Sequence, residues 1–460
     1  MKTYQDLIAL GEDEKARKDF ILQAINEHKT SNMYITASDA ELYYKRQNPT
    51  IMRAQKWVYN VLGQRVPDVW VANHKIPSNY YFYFVTQSVQ FLLGNGISFN
   101  EEKTKKRLGK GFDNVVQKAA TNAMNGGVSF GFWNSDHLEQ FSVTEFVPLY
   151  DEENGALKAG IRFWQVTDKK PLRATLYEMD GLTEYIKPKN DDIIILQEKR
   201  PYVQIVAQSA ASGTAILDGQ NYPGFPIVPL FYINKQSAIE GGREVIDAYD
   251  LMASALVNNV DDANIIYWVI KNAGGMDDMD DQKFLERIKT MHVVHTEGDE
   301  DVSSHQIDVP FEASETALNR LRSQLFDDFM ALDVKQIASG AATATQIKAA
   351  YEPLNAKTDL FEYLVTDFIH GIFELIGIDD EPTYTRSLII NQQETIQNLI
   401  TASEYLSSEY ITKKVLEVLG DADNTEEVLS EMLTEDVSRY ANEPAETKEQ
   451  TLEVEQAPQE

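Results

Sequence analysis

The sequence predicts an α+β protein, and three observations predict it. Apolar residues fall at helical spacing in parts of the first 118 residues. Between about 128 and 233 the period shortens to brief β-branched and aromatic segments, and from residue 240 onward helical spacing returns. Composition agrees with a globular chain: 43% hydrophobic and 25% charged residues exclude fibrous structure and wholesale disorder. At 460 residues the chain should hold about two to four cooperating units.

Residues 1–26 read as one helix, with Leu7, Leu10, Ile21 and Ile25 among charges, and predict an N-terminal arm. Residues 27–75 are aromatic-rich but weakly periodic (Tyr34, Tyr43, Tyr44, Trp57, Tyr59, Trp70). In 79–99 the positions of Tyr83, Val85, Val89, Leu92 and Leu93 predict a buried helix, broken at Gly94, Asn95 and Gly96, which tolerate positive φ. The basic cluster of Lys103, Lys105, Lys106, Arg107, Lys110 and Lys118 lacks the G-x-x-x-x-G-K-[ST] spacing that cradles a nucleotide phosphate, and reads as a solvated helix face. From 128 to 233, segments such as GIRFWQV, DIIILQ and FPIVPLFYI alternate with turn signals at 151–155, 168–171, 180–181, 189–192 and 222–226. An antiparallel region of about six strands follows, with Trp133 and Trp164 as core aromatics.

The second half starts with an amphipathic stripe at 240–264 (Val245, Tyr249, Met252, Leu256, Val260), whose other face carries Asp247, Asp250, Asp261 and Asp262. A compact insert occupies 265–309, with IIYWVI, a Gly274–Gly275 turn, DDMDD and a strand MHVVHT. A second amphipathic helix runs from about 314 to 332 on Leu318, Leu321, Leu325, Phe329 and Leu332. A run of small residues (337–346) precedes a long helix from 347 to 376, bent if Pro353 lies inside it. A helical block at 391–436 leads to a tail: residues 421–460 hold 13 acidic and 2 basic residues, and the last twenty have the composition of disorder.

Charge and chemistry narrow the function. With 42 Lys+Arg against 72 Asp+Glu the formal charge is −30, which would repel nucleic-acid phosphates rather than capture them. Cysteine is absent, so disulfides, thiol nucleophiles and thiolate metal sites are excluded. The first residues show no apolar run of signal-peptide type, and apolar runs elsewhere fall well below the ~20 residues that cross a bilayer. A soluble chain, intracellular where it is made, is the expectation. DDMDD lacks the calcium-loop order, and His292 and His295 fall on opposite faces of a strand. Hydrolase and metalloprotease motifs do not occur, and nothing local marks a catalytic carboxylate pair. Two readings stay open on residues alone: an acidic hydrolase with unmarked carboxylates, and a ring-forming structural protein.

The order of these parts resembles the portal proteins of tailed bacteriophages, particularly the long-tailed phages of Gram-positive hosts. The resemblance rests on FVTQSVQFLLGNGISF (84–99), NGGVSFGFW (125–133), the stretch from FPIVPLFYI to LVNNVDD (225–262), SGAATATQIKAAYEPLNAKTDLFEYL (339–364) and NQQETIQNLI with its acidic follow-on (391–436). It implies a wing at 27–235, stem helices at 236–265 and 310–332, and a clip at 266–309. It further implies a tunnel loop at 333–346, a long wing helix at 347–380, a crown at 381–440 and a disordered acidic tail at 441–460.

The family's role implies a homo-oligomeric ring, usually of twelve, at one capsid vertex, assembled in the host cytoplasm and retained in the virion. Double-stranded DNA passes through it without sequence specificity. The implied partners are the terminase large subunit, a head-completion adaptor, and the major capsid and scaffolding proteins; no cofactor, metal, membrane or catalytic residue is implied. The tunnel-loop candidates are Lys335, Gln336, Ser339, Gly340, Thr343, Thr345 and Lys348. Their small neighbours allow close backbone approach, while the two lysines either touch phosphate or pair with acids such as Asp333. Trp268, Asp277, Asp278, Asp280, Asp281 and Arg287 are the docking candidates in the clip. Tyr249, Met252, Leu256, Leu321, Leu325 and Phe329 are the stem-packing candidates.

Overall fold

A computed structural model describes residues 1–59, 64–67, 72–209, 213–263, 267–270, 302–305, 311–338, 344–386, 392–419, 425 and 428–432. Its contacts divide the chain into one unit of Met1–Gly340 with Ala349–Ser387, and a second of Ala341–Lys348 with Leu388–Glu460. No helix among the described residues is long and apolar enough to cross a membrane.

The N-terminal arm is two helices rather than one: α1 (Tyr4–Ile8) and α2 (Glu14–Lys29). Gly11 takes φ +57° between them, and the Asp13 carboxylate caps α2 by accepting from the Ala16 N–H at 3.1 Å. Leu7, Phe20, Ile21, Ala24 and Ile25 bury one face of the pair against sheet residues such as Val147, Ile161 and Leu176. The aromatic stretch that shows little periodicity holds α3 (Asn32–Tyr44), capped by Ser31, and α4 (Pro49–Arg53), capped by Asn48 with proline at its first position. It also holds β1 (Trp57–Tyr59) and β2 (Arg65–Pro67), which pair with each other.

Next come α5 (Tyr80–Leu93), β3 (Ile97–Phe99), α6 (Glu102–Leu108) and α7 (Phe112–Gly126). The buried helix is therefore α5, but its most enclosed aromatics are Tyr81 and Phe84, and Tyr83 is half-buried. In α6 Lys103 and Lys106 are exposed, as a solvated face requires.

The β region has ten strands among the described residues, more than the expected six. They are β4 (Val128–Asn134), β5 (His137–Ser142), β6 (Phe146–Tyr150), β7 (Leu157–Trp164), β8 (Leu172–Glu178), β9 (Gly181–Lys187), β10 (Ile194–Arg200), β11 (Val203–Ser209), β12 (Gly213–Gln220) and β13 (Ile227–Phe231). The overlooked strands fall into two kinds. β5, β9 and β12 dilute their apolar positions with polar residues or glycine, and β4 is buried at six of its seven positions with no alternation. The reason for the second is burial on both faces: Phe130 and Phe132 enter one core, Trp133 the other. A five-stranded antiparallel sheet runs β10-β9-β8-β7-β6, a three-stranded one β13-β4-β5, and β11 pairs with β12.

After Asn234 the chain is helical, with α8 (Arg243–Ala263), α9 (Phe311–Asp328), α10 (Val334–Ala338) and α11 (Ala344–Ile376). Within the insert, β14 (Tyr267–Ile270) pairs with β15 (Val302–His305). FLERIKT and MHVVHT lie outside the described residues. The second amphipathic helix stops at Asp328, four residues early. Met330 adopts φ 48°, so the Ala331 N–H reaches back to Phe326 O (2.9 Å) and the Met330 N–H to Asp327 O (3.0 Å), the two bonds of a Schellman stop. The long helix begins at Ala344, three residues before the expected start, and Pro353 does lie within it. It is followed by β16 (Pro382–Tyr384), paired with β3. The final helical block is two helices, α12 (Gln392–Ala402) and α13 (Ser408–Leu419).

Candidate functional site

The chemistry-bearing region lies around α8, α9 and residues 329–335 that follow α9. α8 and α9 pack together, and α5 fills the space beside them with aromatic rings. Tyr80 meets Tyr249 edge-on at 5.0 Å, and Phe84 stacks on Phe329 at 4.6 Å. Phe329 and Leu325 are buried; Tyr249, Met252, Leu256 and Leu321 are half-buried.

The acidic face of α8 is turned inward along part of its length. Asp250 is wholly buried, and Ser254 and Asn258 nearly so. An extended segment crosses them, with the Ser78, Ile76 and His74 N–H groups donating to Asp250 Oδ1 (2.9 Å), Ser254 Oγ (3.0 Å) and Asn258 Oδ1 (2.6 Å). Asn48 Nδ2 donates to both Asp250 (2.8 Å) and Asp247 (3.0 Å), and Tyr43 and Thr50 hydroxyls also donate to Asp247. Burial pushes the Asp250 carboxyl up, against the pull of its hydrogen bonds.

The exit from α9 is held by four side chains from three helices. The Gln87 amide brackets Leu332, donating to its carbonyl and accepting from its N–H, each at 3.0 Å; the Tyr83 hydroxyl donates to the same carbonyl at 3.2 Å. Arg322 pairs with the buried Asp333 at 2.8 Å. Lys357, buried on α11, donates to Phe329 O at 2.6 Å. The roles of Gln87 and Tyr83 are not visible in local sequence, because they stand 245 and 249 positions from Leu332. One signal was there to use: Lys357 occupies the apolar stripe of α11, between buried Leu354 and Phe361.

The loop candidates separate. Lys335 is exposed on α10, and its backbone N–H, rather than its ammonium, binds Asp333 Oδ1 at 3.1 Å. Among the described residues neither Lys335 nor Lys348 forms an ion pair, so the pairing alternative with Asp333 is not what this structure adopts; Asp333 pairs with Arg322. Gln336 is on α10, Thr345 and Lys348 are exposed in the first turns of α11, and Ser339, Gly340 and Thr343 lie outside the described residues. Trp268 is on β14 in register with Ser304. Asp277, Asp278, Asp280, Asp281 and Arg287, like His292 and His295, lie outside the described residues. Among the described residues no group of three His, Asp or Glu could hold a metal.

The family model described as "Phage portal protein, SPP1 Gp6-like" matches residues 25–448. The chain belongs to this family of phage portal proteins. The portal protein of Clostridium phage phiCD119 is 26% identical to it over 347 residues, covering 68% of this chain and 73% of that protein. The portal protein of Bacillus phage SPP1 is 21% identical over 398 residues, covering 78% and 75%. Two solved structures also align. A chain from the neck of an empty gene transfer agent particle shows a TM-score of 0.41 and 11% identity over 74% of this chain and 90% of that one. A chain from the virion of a native gene transfer agent particle shows a TM-score of 0.41 and 12% identity over 73% and 89%. Portal proteins are structural components of phage-like particles rather than enzymes, which leaves the hydrolase reading without support.

Proposed function

We propose that copies of this portal protein close into a ring of about twelve at one capsid vertex, and that double-stranded DNA enters and leaves through the central channel. The observation that carries the reading is the family match across residues 25–448. In this reading 27–235 forms the wing, α8 and α9 the stem, 266–309 the clip, 381–440 the crown, and the ring is retained in the virion after assembly in the host cytoplasm. A separate terminase motor supplies the energy for packaging, in keeping with a sequence that lacks a nucleotide-binding loop.

The charge suits a conduit. About twelve copies carry a formal charge of about −360, screened over ~8 Å at physiological salt, so the wall repels DNA and leaves it free to slide. Any grip is then local. Lys335 and Lys348, exposed on either side of the small-residue segment, supply it by transient phosphate contact. Replacing both with Glu should slow packaging; unchanged packaging removes them from the mechanism.

The clip is the docking surface for terminase during packaging and for the head-completion adaptor afterwards, and its uncharged IIYWVI run suits packing between neighbouring subunits. Trp268→Ala should weaken ring assembly, and rings that form normally would place Trp268 within one subunit's core. The decisive test of the whole reading is particle mass with negative-stain imaging. An annular particle near 12 × 52.1 ≈ 625 kDa supports it, and a chain that stays at 52.1 kDa at high concentration with capsid and scaffolding proteins present overturns it.

A further inference from the structure

Lys357 is 8% exposed, and its Nζ donates to the carbonyl of Phe329 at 2.6 Å. Phe329 follows the last residue of α9, so that carbonyl is one of those a helix end leaves without an intrahelical partner. The ammonium thus sits at the negative end of the α9 dipole, where a cation is stabilised.

No carboxylate accompanies it among the described residues. The charged groups on the neighbouring elements are engaged elsewhere: Asp333 with Arg322 on α9, and Asp359 and Glu362 of α11 with Arg386. On α5 the Tyr83 hydroxyl donates to Leu332 O. Asp327 and Asp328 at the end of α9 are exposed. A buried, unpaired ammonium is costly, and an apolar side chain of similar length would pack there at lower cost. The bond to Phe329 is what the lysine adds.

We propose that Lys357 is a positioning residue: as a cation it ties the end of α9 to α11 and so fixes where the segment carrying Lys335 begins. That this segment meets DNA rests on the portal reading; the tie itself does not. The bond is charge-assisted only while the amine is protonated. Burial lowers the Lys357 pKa to about 8, so the tie should weaken as pH rises through that value.

The test is hydrogen–deuterium exchange of the full chain between pH 6.5 and 9.5, with rates corrected for intrinsic exchange and read on peptides covering 329–338. In the wild type, protection there should fall about tenfold or more between pH 7 and 9.5, the size expected for a hydrogen bond to a charged group. Lys357→Met should show the weaker protection at every pH. Lys357→Arg, which stays charged, should hold strong protection throughout. A flat wild-type profile, or a Met variant protected like the wild type, overturns the tie. If a variant does not fold, the wild-type pH profile alone decides. If the tie is confirmed and Lys357→Met rings still package DNA at the wild-type rate, the DNA-facing reading of the segment fails and the tie stands.

Discussion

The backbone N–H of Ser78 donates to the buried carboxylate of Asp250 at 2.9 Å, and it is one rung of a ladder. Two residues further back along the extended segment, Ile76 meets Ser254; two further, His74 meets Asn258. Four residues of helix rise about 6 Å and two of extended chain about 6.6 Å, so the periods of 4 and 2 stay matched over three rungs. Asp250→Ala would leave the Ser78 N–H and one Asn48 donation without an acceptor in a buried setting. It should cost about 2 kcal/mol in urea unfolding, and a loss below 0.5 kcal/mol would show the ladder to be incidental.

Met330 is a non-glycine residue in the left-handed region at the stop of α9, a conformation that costs an L side chain about 1 kcal/mol or more. Its side chain is exposed, so little packing is lost on removing it. Met330→Gly should therefore raise stability by about 0.5–1 kcal/mol, and a decrease would mean that the side chain packs against something in the assembled particle or in the loop that follows.

Gly131 lies where β4 crosses α11. A Cβ there would sit 2.5 Å from Cζ of Phe368, a ring that is 1% exposed and has nowhere to retreat. Gly131→Ala should destabilise the chain by about 2–3 kcal/mol through overpacking. Combining it with Phe368→Leu should cost less than the sum of the two single changes, and strict additivity would show that the two sites do not touch.

His28 gives a pH signature. The ring is fully buried, its Nε2–H donates to Val143 O at 2.7 Å, and burial lowers its pKa below 6.5. In the window between that lowered value and 6.5 the unfolded chain binds the proton and the folded chain does not, so stability rises with pH. Acidification from pH 7 towards 5 should lower the urea midpoint. In His28→Gln, whose amide can donate to the same carbonyl, this part of the slope should vanish; an unchanged slope would assign it to other groups.

How much was legible follows from where the information lies. Val85, Val89 and Leu92 on α5, Val245 and Tyr249 on α8, and Leu321 and Leu325 on α9 sit in periodic apolar runs, and the three helices could be read from them. β5 and β9 escaped because half-polar alternation in a charged chain is a weak signal. The stop at Asp328 escaped because Met is not a residue that marks a left-handed turn. Lys335 and Lys348 were visible as the cations flanking a run of small residues. The side chains that hold the exit of α9, Gln87, Arg322 and Lys357, were not, since each acts on a backbone atom or side chain that only folding brings near.

The sequence by itself determined the mixed α+β class, the change from a helical to a strand-rich and back to a helical stretch, the lack of any cysteine chemistry, and the resemblance that the family match bears out. Periodicity, composition and motif order are local or additive properties, and they survive without knowledge of which segments meet. Only the tertiary structure decided that the acidic face of α8 is partly an inner surface and that a lysine closes the end of α9. Whether a carboxylate or an ammonium is solvated or buried depends on segments 28 to 202 positions away. The cost of desolvating it, and so its chemistry, is set by those contacts rather than by its neighbours in the chain.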